Sequence, residues 1–192
     1  MASVSTTEFT SHTTSIPGLI FFDVTSVGDD RGWFQEKFHK EKLVKAGIPE
    51  NFQVVQNSLS YNKQKGVVRG FHAEPWDKYI SVVKGKVFAA YVDLREGSNF
   101  GKVETIEITP NIAVFLPEGV ANSFQTLEDE TYYLYSVNKH WSADDYDKYM
   151  FVNLGDSDLN VQWPIDLADS VMSDRDKNHP QLKDIIPMKV GN

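Results

Sequence analysis

The chain contains no cysteine, which excludes disulfides and thiolate metal sites and removes any redox indication of compartment. It is also short of positive charge: 19 Lys and Arg stand against 27 Asp and Glu, for a net charge of −8. Nucleic acids and anionic membrane surfaces attract the opposite sign, so a general binder of either is excluded. A small phosphorylated ligand is not, because it needs only a few cations focused in one cleft. No apolar run approaches the ~20 residues that span a bilayer. The N-terminal stretch MASVSTTEFTSHTTS lacks the apolar centre of a secretory signal. A cytoplasmic protein that meets neither nucleic acid nor membrane is the expectation.

What is present is a core-forming composition. Hydrophobic residues make up 41% and aromatics 12% of the 192 residues, enough for a folded domain. Residues 1 to about 16 read as a flexible Ser/Thr-rich arm, and Pro17-Gly18 punctuates the start of a single domain over 17–192. One early helix is predicted over Lys40 to Ala46, stopped by Gly47 and Pro49. A turn cluster, Gly28 to Gly32, leads into a strand with Trp33 and Phe34. Short strands are predicted at Leu19 to Thr25, Phe52 to Ser60, Gly66 to His72, Tyr79 to Val83 and Val87 to Leu94. Others follow at Val103 to Thr109, Ala113 to Leu116, Asn122 to Leu127 and Thr131 to Val137. Glu104 to Thr109 alternates as a strand with one wet face, whereas Val87 to Val92 is apolar enough for deeper burial. Regular strand spacing with Gly, Pro and Asn at the turns indicates an all-β sandwich, jelly roll or barrel rather than βαβ units. Beyond Trp141 the pattern loosens into an Asp-rich tail, with short helical potential at Ser173 to Asp176.

The most informative stretch is GVVRGFHAEPWDKYISVVKG, from Gly66 to Gly85. It has the spacing of the first motif of a metal-binding cupin barrel, with His72 in a ligand position. The next two ligand slots hold Glu74 and Lys78, and the slot after the Pro117-Glu118-Gly119 turn holds Asn122. An ammonium cannot bind a cation, and one histidine, one carboxylate, one lysine and one asparagine make a poor transition-metal shell. No metal is expected. His72 can instead act as a general base near neutral pH, and its bland alternative is a histidine satisfied in the core. Arg69, close by on the same strand, fits an anion site. Period-2 alternation puts Arg69 and His72 on opposite faces unless Gly70 supports a bulge. Tyr135 lies in the aromatic strand Tyr132 to Tyr135, where wall packing is the simpler role. Trp33, Trp76, His140 and Trp141 are candidates for stacking on a flat base or for a subunit rim. Asp144, Asp145 and Asp147 read as a solvated surface.

Taken in order along the chain, several segments resemble the dTDP-4-dehydrorhamnose 3,5-epimerase family, the RmlC-like cupins. They are Gly28-Asp-Asp-Arg-Gly-Trp-Phe-Gln-Glu36, Val68-Arg-Gly-Phe-His72, Val92-Asp-Leu-Arg-Glu-Gly-Ser98 and Leu116-Pro-Glu-Gly-Val-Ala-Asn-Ser-Phe124. Tyr135, Trp163-Pro164 and Met172-Ser-Asp-Arg-Asp176 complete the set. No single segment is diagnostic; their joint order carries the resemblance, which covers nearly all of the chain after the arm.

The resemblance implies a cupin-type double-stranded β-helix, a jelly-roll barrel with a few short peripheral helices, assembled as a homodimer partly by exchange of N-terminal strands. It implies inversion at C3 and C5 of a dTDP-linked 4-keto-6-deoxyhexose without metal or organic cofactor. His72 matches the family's base, Asp176 the carboxylate that orients it, Tyr135 the acid on the opposite face, and Lys78 the cation beside the enolate oxygen. Arg69 and, from the partner subunit, Arg31 match diphosphate clamps; Gln56 and Glu36 match substrate-pocket residues. Asn122 stands where the family commonly has histidine, and His140 or Trp141 replaces a tyrosine near the nucleotide. The segment Ala73-Glu-Pro-Trp-Asp-Lys-Tyr79 resembles a subgroup that includes epimerase domains fused to a reductase, so a dTDP-4-dehydrorhamnose reductase is a further expected partner. Three alternatives stay open on sequence: a single-centre epimerase or isomerase of another dTDP-4-keto-deoxysugar, a non-catalytic nucleotide-sugar-binding cupin, and a metal-cupin oxygenase.

Overall fold

The computed structural model describes residues 7–191. The first part of the chain forms β1 (Thr10–Thr13), β2 (Ile20–Asp23), β3 (Ser26–Asp29), β4 (Gly32–Gln35), helix α1 (Lys40–Lys45), β5 (Gln56–Asn62), β6 (Val68–Ala73) and β7 (Lys78–Lys84). The remainder forms β8 (Val87–Asp93), β9 (Val103–Ile108), β10 (Ile112–Leu116), β11 (Val120–Thr126), β12 (Thr131–Val137), β13 (Met150–Phe151) and helix α2 (Asp174–Lys177). Two antiparallel sheets make the barrel, a six-stranded one ordered β1-β2-β10-β7-β12-β5 and a five-stranded one ordered β13-β6-β11-β8-β9. Among the described residues no helix is long and apolar enough to cross a membrane.

Alternation along the strands sorts side chains into three layers. Ile80, Val82, Val114, Leu116 and Tyr133 from the larger sheet meet Val87, Ala89, Tyr91, Ile108 and Phe124 from the smaller one inside the barrel. Tyr79, Ala113 and Phe115 point the other way and are covered by α1 through Leu43, together with Phe52. Val68, Phe71, Ala90, Val92 and Ala121 form the outer face of the smaller sheet, which Val152, Leu154 and Trp163 of the C-terminal region cover. The apolar run Val87 to Val92 is accordingly the strand between β11 and β9, buried on both faces. The alternating Glu104 to Ile108 is the edge of its sheet.

Two sequence expectations need correction. The arm reading does not hold over Thr10–Thr13, which pairs with β2 from Thr10↔Asp23 to Thr13↔Ile20, while Ile16 is fully buried. All four β1 side chains are exposed, so a polar composition is no obstacle to an edge strand held by its backbone. Residues 1–6 of that reading lie outside the described residues. Nor is the tail after Trp141 loose: β13 extends the smaller sheet at β6, and Val152, Leu154 and Leu159 are buried. Helix α1 matches its expected position. It starts at His39, whose side chain accepts from Lys42 N, and ends before Gly47 at φ +118°.

Candidate active site

A bulge in β6 decides which side chains enter the barrel. Between the pairs Asn122↔His72 and Phe124↔Arg69, β6 advances three residues while β11 advances two. The extra residue resets the alternation, so Arg69 and His72 both line the interior cavity while Val68, Phe71 and Ala73 stay in the outer layer. Gly70 makes this possible. Its φ is +123°, and a Cβ there would stand 2.4 Å from Ser123 Cβ and 2.7 Å from the Asn122 carbonyl oxygen. No other residue fits so close an approach of two backbones.

The cavity, of about 460 Å³, is lined by both sheets. His72 comes from β6 of the smaller sheet, and Tyr135 and Lys78 come from β12 and β7 of the larger one. His72 Nε2 lies 3.0 Å from Asp176 Oδ1. Asp176 is carried by α2, whose first turn is capped by Ser173: its side chain accepts from the Asp176 backbone N–H at 3.1 Å. Burial works against the charge of this carboxylate, but the hydrogen bond and charge of His72 outweigh it and hold its pKa below the ordinary value. The aspartate is therefore ionised at neutral pH, and the Nε2–H tautomer of His72 is favoured. That leaves Nδ1 as the free acceptor.

Lys78 explains the damaged cupin motif. Its ammonium contacts the Glu74 carboxylate and donates to Asn122 Oδ1 at 2.8 Å, and it lies 5.9 Å from the centre of the Tyr135 ring. Three of the four cupin ligand slots thus converge on one another as an internal cation with its own acceptors. The fourth, His72, faces the same cavity. This donor set does not suit a metal, because the cation is already built into the chain. Arg69 lines the same space, with its Nε donating to Asn62 Oδ1 at 2.9 Å.

An adjoining cavity of about 510 Å³ shares His72, Glu74, Tyr135 and Arg175 with the first. Gln56, Trp76, Trp141 and Tyr149 are among its lining residues, and Gln56 Oε1 accepts the Trp141 backbone N–H at 3.0 Å. Burial, with the nearby charges of Glu74 and Asp145, pushes the Tyr149 hydroxyl well above its ordinary range. His72, Lys78, Tyr135, Asp176, Arg69 and Asn122, with Gln56 and Trp141, therefore meet in two adjoining cavities. Arg31 and Glu36 do not join them within this subunit. Arg31 sits on the β3–β4 hairpin, paired with Asp29 at 2.5 Å and with its side chain 90% exposed. Glu36 pairs with Lys42 at 2.6 Å, beside the β3–β4 hairpin that carries Arg31. His140 lines neither cavity, and Asp145, largely covered, is the partner of Lys139 and Lys148.

Sequence reasoning passed over His179. It is buried, three residues after Asp176, with Nε2 3.7 Å from Asp176 Oδ1. Its ring packs against His72 and Phe151, with ring centres 5.5 and 4.8 Å away. Burial, followed by the neighbouring His72, lowers its affinity for a proton. The one signal in the sequence was its spacing from Asp176, which is meaningful only once the helical turn is known.

A family model described as dTDP-4-dehydrorhamnose 3,5-epimerase matches residues 13–184. A protein of Streptococcus pyogenes serotype M6 named Protein RmlC homolog is 49% identical over 91% of this chain and 89% of its own. A dTDP-4-dehydrorhamnose 3,5-epimerase of Shigella flexneri is 31% identical over 89% of this chain and 94% of its own. Among solved structures, RmlC from Streptococcus suis, determined in complex with dTDP-D-xylose, superimposes with a TM-score of 0.89 at 44% identity, covering 95% of this chain and 96% of that one. The chain belongs to the dTDP-4-dehydrorhamnose 3,5-epimerase family.

Proposed function

We propose that this protein inverts C3 and C5 of dTDP-4-dehydro-6-deoxy-D-glucose, giving dTDP-4-dehydro-L-rhamnose. The observation that carries the reading is the placement of an aspartate-oriented histidine and a tyrosine on opposing sheets, with a buried ammonium in the same cavity. A C–H beside a ketone becomes acidic when the enolate oxygen is stabilised and a base stands nearby. His72 Nδ1 takes the proton, and the Asp176 carboxylate stabilises the imidazolium that results. Lys78 faces the developing oxyanion. Tyr135 returns a proton from the other wall, so the centre inverts instead of re-forming. Arg69 supplies charge for the diphosphate, while Gln56 and Trp141 border the second cavity, where the aromatic side chains suit a nucleoside. Asn122 acts through Lys78, fixing its ammonium.

Solvent exchange tests the two-centre assignment directly. In D₂O, NMR of the substrate with wild-type protein is expected to show deuterium at both C3 and C5. Label at C3 alone would sink the two-centre reading and leave a single-centre epimerase. Binding without exchange would leave a nucleotide-sugar-binding cupin. The product keeps its ketone, so the enzyme that consumes it is a reductase of the dTDP-4-dehydrorhamnose type.

We further propose that the working unit is a homodimer in which Arg31 serves the partner's cavity. Several features support this. The β3–β4 hairpin forms a separate two-stranded sheet, its Trp33 and Phe34 are 61% and 69% exposed, and β5 ends the larger sheet with Leu59 and Tyr61 exposed. Co-refolding of Arg31→Ala with His72→Ala subunits tests it. If Arg31 acts across a two-fold interface, random hybrids regain about a quarter of wild-type activity, since half the dimers are mixed and each has one intact site. If Arg31 acts within its own subunit, the mixture stays as inactive as its parents.

A further inference from the structure

The arrangement behind the base has the composition of a metal site that uses only one of the cupin slots, His72. His72 Nε2 and His179 Nε2 both approach Asp176 Oδ1, at 3.0 and 3.7 Å, and the three ligating atoms lie within 4.8 Å of one another. Two imidazoles and a carboxylate are a donor set suited to zinc, with a fourth position left for water or substrate. With metal–ligand bonds of about 2.0–2.1 Å, tetrahedral ligands stand roughly 3.3 Å apart. The two distances to Asp176 already bracket that value.

A second observation points the same way. The His179 side chain is only 5% exposed, yet neither ring nitrogen has a hydrogen-bond partner among the described residues, although the Val152 backbone lies close enough to favour the protonated ring. Buried polar groups without partners are uncommon, and this one is aimed at the acid of a catalytic pair. The remaining side of the triangle is accessible, because the His72 side chain is 23% exposed and lines the cavity.

We infer that His72, Asp176 and His179 form a site for a zinc-class divalent cation, and that filling it inhibits the enzyme. The mechanism of inhibition rests on the proposed role of His72. A cation takes the Nε2 lone pair, so the proton of the neutral ring moves to Nδ1 and blocks the nitrogen that would accept the substrate proton. The cation also occupies the carboxylate that would stabilise the imidazolium. Neither Glu74 nor Lys78 takes part.

The test uses the metal-free full chain and cobalt(II) as a spectroscopic stand-in for zinc. Titration is expected to give one Co²⁺ per subunit with the intense visible bands of four-coordinate cobalt, displaced by Zn²⁺, and Zn²⁺ is expected to abolish turnover over the same concentration range. His179→Gln weakens binding more than about 100-fold, since even the loss of an outer-shell partner costs about 10- to 100-fold. His179→Glu brings a carboxylate oxygen about as far from the backbone as Nε2 and recovers much of the binding, which a folding defect would not. Weak octahedral bands, or binding unchanged in His179→Gln, would mean adventitious uptake at surface pairs such as His12 with Asp23 and would overturn the site. Tight binding that leaves turnover untouched would overturn the inhibition. Because the cobalt bands need no substrate, failure of the site is distinguishable from failure of the epimerase reading, which shows as absent deuterium exchange in metal-free protein.

Discussion

His72→Asn is expected to lower kcat for the epimerisation by about 10²- to 10⁴-fold, the range supplied by a positioned general base, with little change in KM. Asparagine keeps polar bulk on β6 but has no basic nitrogen, so the diphosphate contacts and the Lys78 cluster remain while proton abstraction fails. Deuterium incorporation at C3 and at C5 should fall together, because a single base beside a single cavity serves both centres. Loss at one position only would show that a second base exists. Asp176→Asn makes the same point by a different route. An aspartate accepts Nε2–H; an amide at that place can donate to Nε2, which moves the ring proton to Nδ1 and blocks the nitrogen left free for the substrate. The expected loss in kcat therefore approaches that of the histidine variant even though the imidazole is still present. A loss of less than tenfold in Asp176→Asn would show that the carboxylate does not set the tautomer.

The strands were legible because their hydrophobic periods are clean. Thr131–Val137 appears with both ends as expected, and β7 through β11 shift by no more than two residues at either end. What the sequence concealed lies where period and geometry part. Alternation alone sends Arg69 and His72 to opposite faces; the sequence offers a bulge at Gly70 as the one way round this, and the register shift beside Ser123 shows that it is taken. Asp176 sits 104 residues from His72 in sequence, so no local pattern joins them, and their pairing rested on resemblance until the fold brought α2 against β6. His179 had no motif at all. Glu36 is placed by its motif alone, and within this subunit its carboxylate meets Lys42.

Lys78 separates catalysis from stability. Lys78→Met removes the cation facing the developing oxyanion, and loss of one such donor costs about 10²- to 10³-fold in kcat. It also strands the Glu74 carboxylate, whose side chain is 14% exposed, and leaves Asn122 Oδ1 without its donor. Breaking a buried pair from one side costs about 3–5 kcal/mol, so the melting temperature should fall along with the rate. Glu74→Gln in the same chain removes the orphaned charge, and the double variant should regain most of the stability and none of the rate. Lys78→Arg should not rescue turnover, because a planar guanidinium cannot occupy the point between Glu74 and Asn122 that a compact ammonium fills. If the double variant recovered activity as well as stability, the positive charge would be a structural counterion to Glu74 and the enolate would be stabilised by some other group. The expected outcome, stable and inactive, assigns the charge to the chemistry. In that outcome the cupin frame carries a lysine in a ligand slot because an epimerase needs a fixed cation there and has no use for an exchangeable one.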